Sequence, residues 1–312
     1  SDVYKRQLLY TMIYCQESND NQNQSLFLQA MRYERSGNIL KSEDIYKRIL
    51  NNQPTHQPSF FQLKNIYSKN NNIESGIELI NQWLLYNPTD YQTMLSLGEF
   101  YFKNQEKAKA NEIWDDFRDN KLSNKTMYRL LFHTYVKFGQ TESMEFLSEK
   151  GRKEFNEPYF LAIDLANYYQ SRQSYERSLQ ELMILIRHQK QYLRYATDRI
   201  LLMSDDISSH SLIDSTLNAN IDINETMREV LGGFYYKIGN FSHALEQYKL
   251  LGFQNNKDAD KWLIFADNLR KEGQFDLSIK THHYMLENTS THEATYFWTC
   301  CHMRLGGHLC II

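Results

Sequence analysis

Five tyrosines, Tyr33, Tyr67, Tyr101, Tyr135 and Tyr169, recur at intervals of 34 residues. A chain that repeats itself at such a period folds as a row of like supersecondary units, each stacked on the next. Other columns keep the same register. Three residues before each Tyr stand Ala30, Lys64, Gly98, Phe132 and Ala166, and one further back Gln29, Leu63, Leu97, Leu131 and Leu165. Nine after each Tyr come Ser42, Gly76, Ala110, Met144 and Ser178, and four beyond those Tyr46, Ile80, Trp114, Ser148 and Leu182. Pro54 and Pro88 close the first two units.

These columns describe two helices per unit. Large residues at i, i+3, i+4 and i+7 make one buried face. Small residues at the crossing points let two helix axes approach, and large ones fill the gaps between neighbours. A proline then stops the second helix. With only 12 Gly and 4 Pro in 312 residues, the chain lacks the turn residues of a many-stranded β protein. The expectation is all-α. Lys64, Phe132 and Met144 stand in columns that otherwise favour small residues, which predicts local widening or repacking there.

After Lys190 the register breaks and resumes two residues early. Leu231-Gly232, Tyr235, Ala244 and Tyr248 form one unit; Phe265-Ala266, Leu269, Ser278 and His282 form the next. Cys300, Met303 and Gly307 then enter a further first helix. The expected organisation is a leader over 1–24, five repeats over 25–190, an irregular helical unit over 191–223, and two repeats plus a truncated one over 224–312.

Met94-x-x-Leu97-Gly98-x-x-Tyr101, followed by Ala110 and Trp114, resembles the signature of the tetratricopeptide repeat family, and Trp262-x-x-Phe265-Ala266 is a second match. The resemblance runs from Ser25 to Gly307. It implies a right-handed superhelical solenoid of about eight helix-turn-helix units, and a protein-protein scaffold whose first helices line a concave groove.

Two rows of first-helix positions face outward in that register. One runs Phe27, Phe61, Leu95, Arg129, Ile163, Glu229, Leu263 and Phe297; the other runs Met31, Asn65, Glu99, His133 and Asn167. The first is apolar at its N-terminal end, and an exposed apolar stripe marks a contact surface. Phe27, Phe61 and Leu95, flanked by Asn65 and Glu99, are therefore the expected seat of a peptide or protein partner; the competing role for the two Phe residues is burial within the helix pairs. Two residues after all but one of the Tyr-column positions come Arg35, Lys69, Lys103, Lys137, Lys237 and Lys271, with Ser171 following Tyr169. Such a column could clamp an acidic ligand, but the simpler expectation is that these cations, at the ends of first helices, meet the negative end of the helix dipole. The family's carboxylate clamp implies a Lys where Phe27 and Phe61 stand, so that specialisation is not expected.

Catalysis is not expected. The sequence holds no Gly-rich phosphate loop, G-x-S-x-G, H-E-x-x-H or paired C-x-x-C. Cys300-Cys301-His302 with His308 and Cys310 supplies soft ligands but matches no common zinc spacing, and Cys300 falls in a small-residue column. His282 occupies a large-residue column and is expected in the core. No cofactor and no small-molecule substrate are implied. A net charge of −3 lacks the basic excess of a nucleic-acid binder.

No stretch is long and apolar enough to span a bilayer. Lys5-Arg6, the apolar run Leu8 to Cys15 and the polar run Gln16 to Gln24 resemble a clipped secretory signal. Cys15 marks either the cleavage point or a lipid anchor, with Tyr14 unfavourable to the latter. These features lead to an expected periplasmic or envelope location, with a cytoplasmic protein as the alternative. The expected function is a non-catalytic scaffold, possible roles including envelope assembly; the alternative is the regulatory portion of a larger protein with a catalytic or sensor domain elsewhere.

Overall fold

The computed structural model describes residues 21–221, 226–252 and 256–288. Among these residues there are sixteen α-helices and no strand. Helix α1 covers 21–35. It is followed by α2 (Ile39–Asn52), α3 (Gln57–Lys69), α4 (Ile73–Tyr86), α5 (Tyr91–Lys103), α6 (Lys107–Asn120), α7 (Lys125–Lys137) and α8 (Thr141–Phe155). Then come α9 (Ala162–Ser171), α10 (Tyr175–His188), α11 (Leu193–Met203), α12 (His210–Asn220), α13 (Thr226–Lys237), α14 (Phe241–Leu251), α15 (Asn256–Lys271) and α16 (Phe275–Asn288). The expected leader over 1–24 differs at its end, since residues 21–24 are already helical and Asn23 is buried, donating to Gln53 Oε1 at 2.9 Å.

The period is built into the turns. Each first helix ends with one residue at positive φ: Gly37, Asn71, Gln105, Gly139, Gln173, Gly239 and Gly273. The next residue sends its N–H back to the Tyr-column carbonyl, as in Asn38 to Tyr33 (2.8 Å), Asn72 to Tyr67 (2.9 Å), Gln140 to Tyr135 (2.9 Å) and Asn240 to Tyr235 (2.8 Å). This is the six-to-one bond of a Schellman motif, which satisfies carbonyls that the helix end leaves free. The same residue holds the N-cap position of the following helix, as Asn38, Asn72, Glu106, Ser174 and Asn240 do, with Asn38 also accepting the Lys41 N–H. One turn thus stops one helix and starts the next within three residues. First helices have their own periodic caps: the side chains of His56, Asp90 and Asn124 accept the backbone N–H three residues on.

Packing follows the columns. The small position of the first helix faces the large position sixteen residues later. A Cβ on Gly98 would lie 2.3 Å from Trp114 Nε1, and one on Gly232 would lie 3.1 Å from the Tyr248 ring. Ala30 and Tyr46, and Ala166 and Leu182, are buried in the same relation. In the fourth repeat the sizes are exchanged: Phe132 and Ser148 are both buried, so a large first-helix residue is matched by a small second-helix one. This accounts for the misfit of Phe132 in its column.

The segment that breaks register holds two short helices, α11 and α12, whose Ile200 and Ile213 are fully buried. By its internal contacts the chain divides into two compact units, one ending at Gly151 and one beginning at Arg152. That division falls inside the block expected to hold five repeats, because stacked repeats are not separate domains.

Candidate functional site

In the first unit, the first helices of three successive repeats, α3, α5 and α7, enclose a hollow of about 360 Å³. Its lining includes Lys64, Asn65 and Ser68 from α3, Leu95, Glu99 and Lys103 from α5, and Leu130, His133 and Lys137 from α7. Asn65, Glu99 and His133 belong to one register column, so the hollow lies on the first-helix face. Each helix supplies equivalent positions because the 34-residue repeat turns the same arc of each first helix the same way.

The hollow is cationic. Three ammonium groups stand among its lining residues against the single Glu99 carboxylate. Lys137 is paired with Glu99 at 2.6 Å, and Lys103 donates to Ser68 Oγ at 2.9 Å. Lys64 has no carboxylate within 4 Å among the described residues; its ammonium lies over the Phe61 and Phe60 rings, 5.0 and 5.5 Å from their centroids. Burial holds Lys64 below the ordinary lysine value, against the upward pull of the Asp90 and Glu99 carboxylates. A half-buried cation with no carboxylate in direct contact favours an incoming anion.

Of the residues expected to seat a partner, the structure brings Asn65, Leu95 and Glu99 to this hollow and leaves Phe27 and Phe61 outside its lining. Phe27 is half-buried, its ring 5.7 Å from both Tyr46 and His56. Phe61 is half-buried against Phe60, and both Phe27 and Phe61 pack on the core of the first repeats. Leu95 corrects the expectation of an exposed apolar row, since it is only 2% exposed and its carbonyl accepts from Trp114 Nε1 at 3.3 Å. The reason is that α5 packs on α4, α6 and α7, which buries a wider arc than a helix touching one neighbour.

The basic column does stand in the last helical turns, at Lys69, Lys103, Lys137, Lys237 and Lys271. Three of its members also reach back to an earlier repeat: Lys103 to Ser68 of α3, Lys137 to Glu99 of α5, and Lys237 to Asp205 in the turn after α11 at 2.7 Å. Sequence reasoning noted Lys64 only as a misfit among small residues. A cation in a helix-crossing column was the signal for a polar hollow.

His282 is buried at 4% exposure in its large-residue column. Cys15, Phe297 and the cluster from Cys300 to Cys310 lie outside the described residues. Among the described residues no three His, Cys, Asp or Glu side chains are grouped to hold a metal ion, and no helix is long and apolar enough to cross a membrane.

No family model and no curated protein matches the chain. Solved structures resemble it distantly. A structure reported for the functional characterization of Pseudomonas aeruginosa pilF shares 11% identity over 67% of this chain and 94% of its own, with a TM-score of 0.38. A tetratricopeptide repeat protein from Parabacteroides merdae shares 11% over 82% of this chain and 98% of its own, again at 0.38. A human IFIT1 dimer with m7Gppp-AAAA shares 13% over 88% and 68%, at 0.33. At these scores the likenesses carry no weight of their own, and the fold rests on the 34-residue register of turns, caps and packing.

Proposed function

We propose that this tetratricopeptide-type helical array is a non-catalytic scaffold that holds an acidic segment of a protein partner on its first-helix face. The observation that supports this most is the set of cations in the hollow of the first unit. Lys64, Lys103 and Lys137 converge there, and Lys64 has no carboxylate partner. Asn65 and His133 add groups able to bond a peptide backbone, while Leu95 and Leu130 supply apolar floor. An Asp or Glu side chain gives Lys64 the directly paired carboxylate it lacks, and the neighbouring amide and imidazole fix the direction of the chain that carries it.

Selection from a random library of linear peptides tests the reading. The expected winners are rich in Asp and Glu and lose affinity as salt rises. The Lys64→Ser/Lys103→Ser double variant should bind them on the order of tenfold more weakly while keeping its helical circular dichroism. Winners without acidic residues, or retention of single-stranded RNA in preference to acidic peptides, contradict it.

A further inference from the structure

A second hollow, of about 490 Å³, lies within the unit that begins at Arg152 and has a different character. Tyr236, Tyr248, Trp262 and Phe265 line it, with the 59%-exposed Ile264 among them. The rings form one cluster: Tyr248 lies 4.7 Å from Phe265 and 6.3 Å from Trp262, and Tyr236 lies 6.0 Å from Phe265. The charged lining is one pair, Glu229 and Lys261, 3.3 Å apart.

Gly233 of α13 is the odd residue in this lining. A glycine inside a helix costs about 1 kcal/mol relative to alanine. Gly232 has a steric reason, since a Cβ there would meet the Tyr248 ring at 3.1 Å. Gly233 has none: a Cβ on it would meet nothing within 4 Å. The same column carries Asn65, Glu99, His133 and Asn167 in earlier repeats. Any such side chain at 233 would extend into open space at the hollow, so the glycine keeps that space vacant.

We propose that this hollow is a binding site for an uncharged aromatic side chain presented by a protein partner, with Gly233 as the residue that keeps it open. The proposal rests on the reading of the first-helix face as the partner-binding face. Aromatic walls favour an aromatic guest through offset and edge-on ring contacts. The volume falls within the range of ligand pockets of this type, roughly 300–1,000 Å³. Glu229 and Lys261 pair with one another, so the lining carries no net formal charge to draw in a charged guest over a neutral one. The lysine amide below tests the cation–π alternative. The Tyr248 wall is neutral near pH 7, as any phenol is, and burial followed by the Glu229 charge pushes it further up, to about 12.

The test uses the full chain, titrated separately with N-acetyl-phenylalaninamide, N-acetyl-lysinamide and N-acetyl-aspartamide. The Trp262 indole N–H is followed by NMR and assigned by its loss in Trp262→Phe. Only the phenylalanine amide should give a saturable shift. In Gly233→Leu that shift should weaken by at least about tenfold, with a melting temperature equal to or above the parent's. Gly233→Ala, a smaller plug, should weaken it less and covers the case in which Leu disturbs α13. An equal response to the lysine amide, an undiminished shift in both Gly233 variants, or no saturable shift overturns the proposal. The amides report this hollow alone, so their failure is distinguishable from failure of the acidic-peptide selection at the first unit.

Discussion

Gly98 and Trp114 share one volume: the indole occupies the space a side chain on residue 98 would need, with Nε1 2.3 Å from the ideal Cβ position. Trp114 is fully buried and donates to the Leu95 carbonyl at 3.3 Å, so the ring has little room to retreat. Gly98→Ala should therefore destabilise the protein by about 1–3 kcal/mol, the usual cost of overpacking a core, despite the better helix propensity of Ala. Gly233→Ala should shift stability the other way, by up to about 1 kcal/mol. Urea midpoints of the two variants check this; shifts of the same sign refute the distinction.

The left-handed turn positions give a second contrast. Gln105 and Gln173 adopt φ values of 66° and 58° where Gly37, Gly139, Gly239 and Gly273 serve in other repeats. A side chain in this region costs roughly 1–2 kcal/mol, part of which glycine returns as unfolded-state entropy. Gln105→Gly and Gln173→Gly should each stabilise by about 0.5–1 kcal/mol, and Gly139→Ala should destabilise. Thermal melts measure all three, and a loss of stability in both Gln variants contradicts the assignment.

Phe132 and Ser148 invert the size pattern seen at Gly98 and Trp114. Phe132→Ala should cost about 3–5 kcal/mol. Adding Ser148→Phe should recover part of that loss, with a coupling of about 0.5–3 kcal/mol in a double-mutant cycle. A coupling near zero would mean that the two positions do not face each other.

Lys64 trades stability for charge. Its value in the folded protein is lowered by burial, so between that value and the unfolded 10.5 the unfolded chain binds more protons, and stability rises with pH. Below the window the cost of burying the cation is present in full; above 10.5 it is gone. Lys64→Met should accordingly be more stable than the parent at pH 7, with the advantage shrinking as pH climbs toward 10.5, while binding acidic peptides more weakly. Urea melts at pH 7 and pH 10 measure the gap, and a gap that widens with pH contradicts the burial argument.

Much of this fold was legible because its period writes itself into columns. Residues of the Tyr column supply the carbonyl that closes the turn between the two helices of a repeat, with Leu269 taking that place after α15, and the small and large columns are two sides of one helix crossing. The left-handed column was partly visible in Gly37, Gly139, Gly239 and Gly273 but is interrupted by Asn71, Gln105 and Gln173, which satisfy the same turn at a strain no composition rule reveals. The site was less legible. Leu95 reads as outward from its register and is buried, because contacts with α4, α6 and α7 set its exposure. Lys64 and Gly233 break their columns, and only the surrounding helices show that each break opens onto a hollow.

Partner binding on the first-helix face can be located directly. A photo-crosslinking residue placed at Asn65, on that face, is compared with one at Leu40 of α2, which is 78% exposed on a second helix, each mixed with the selected acidic peptides. Crosslinking from position 65 and not from position 40 is the predicted result; crosslinking from position 40 with none from position 65 would contradict the account.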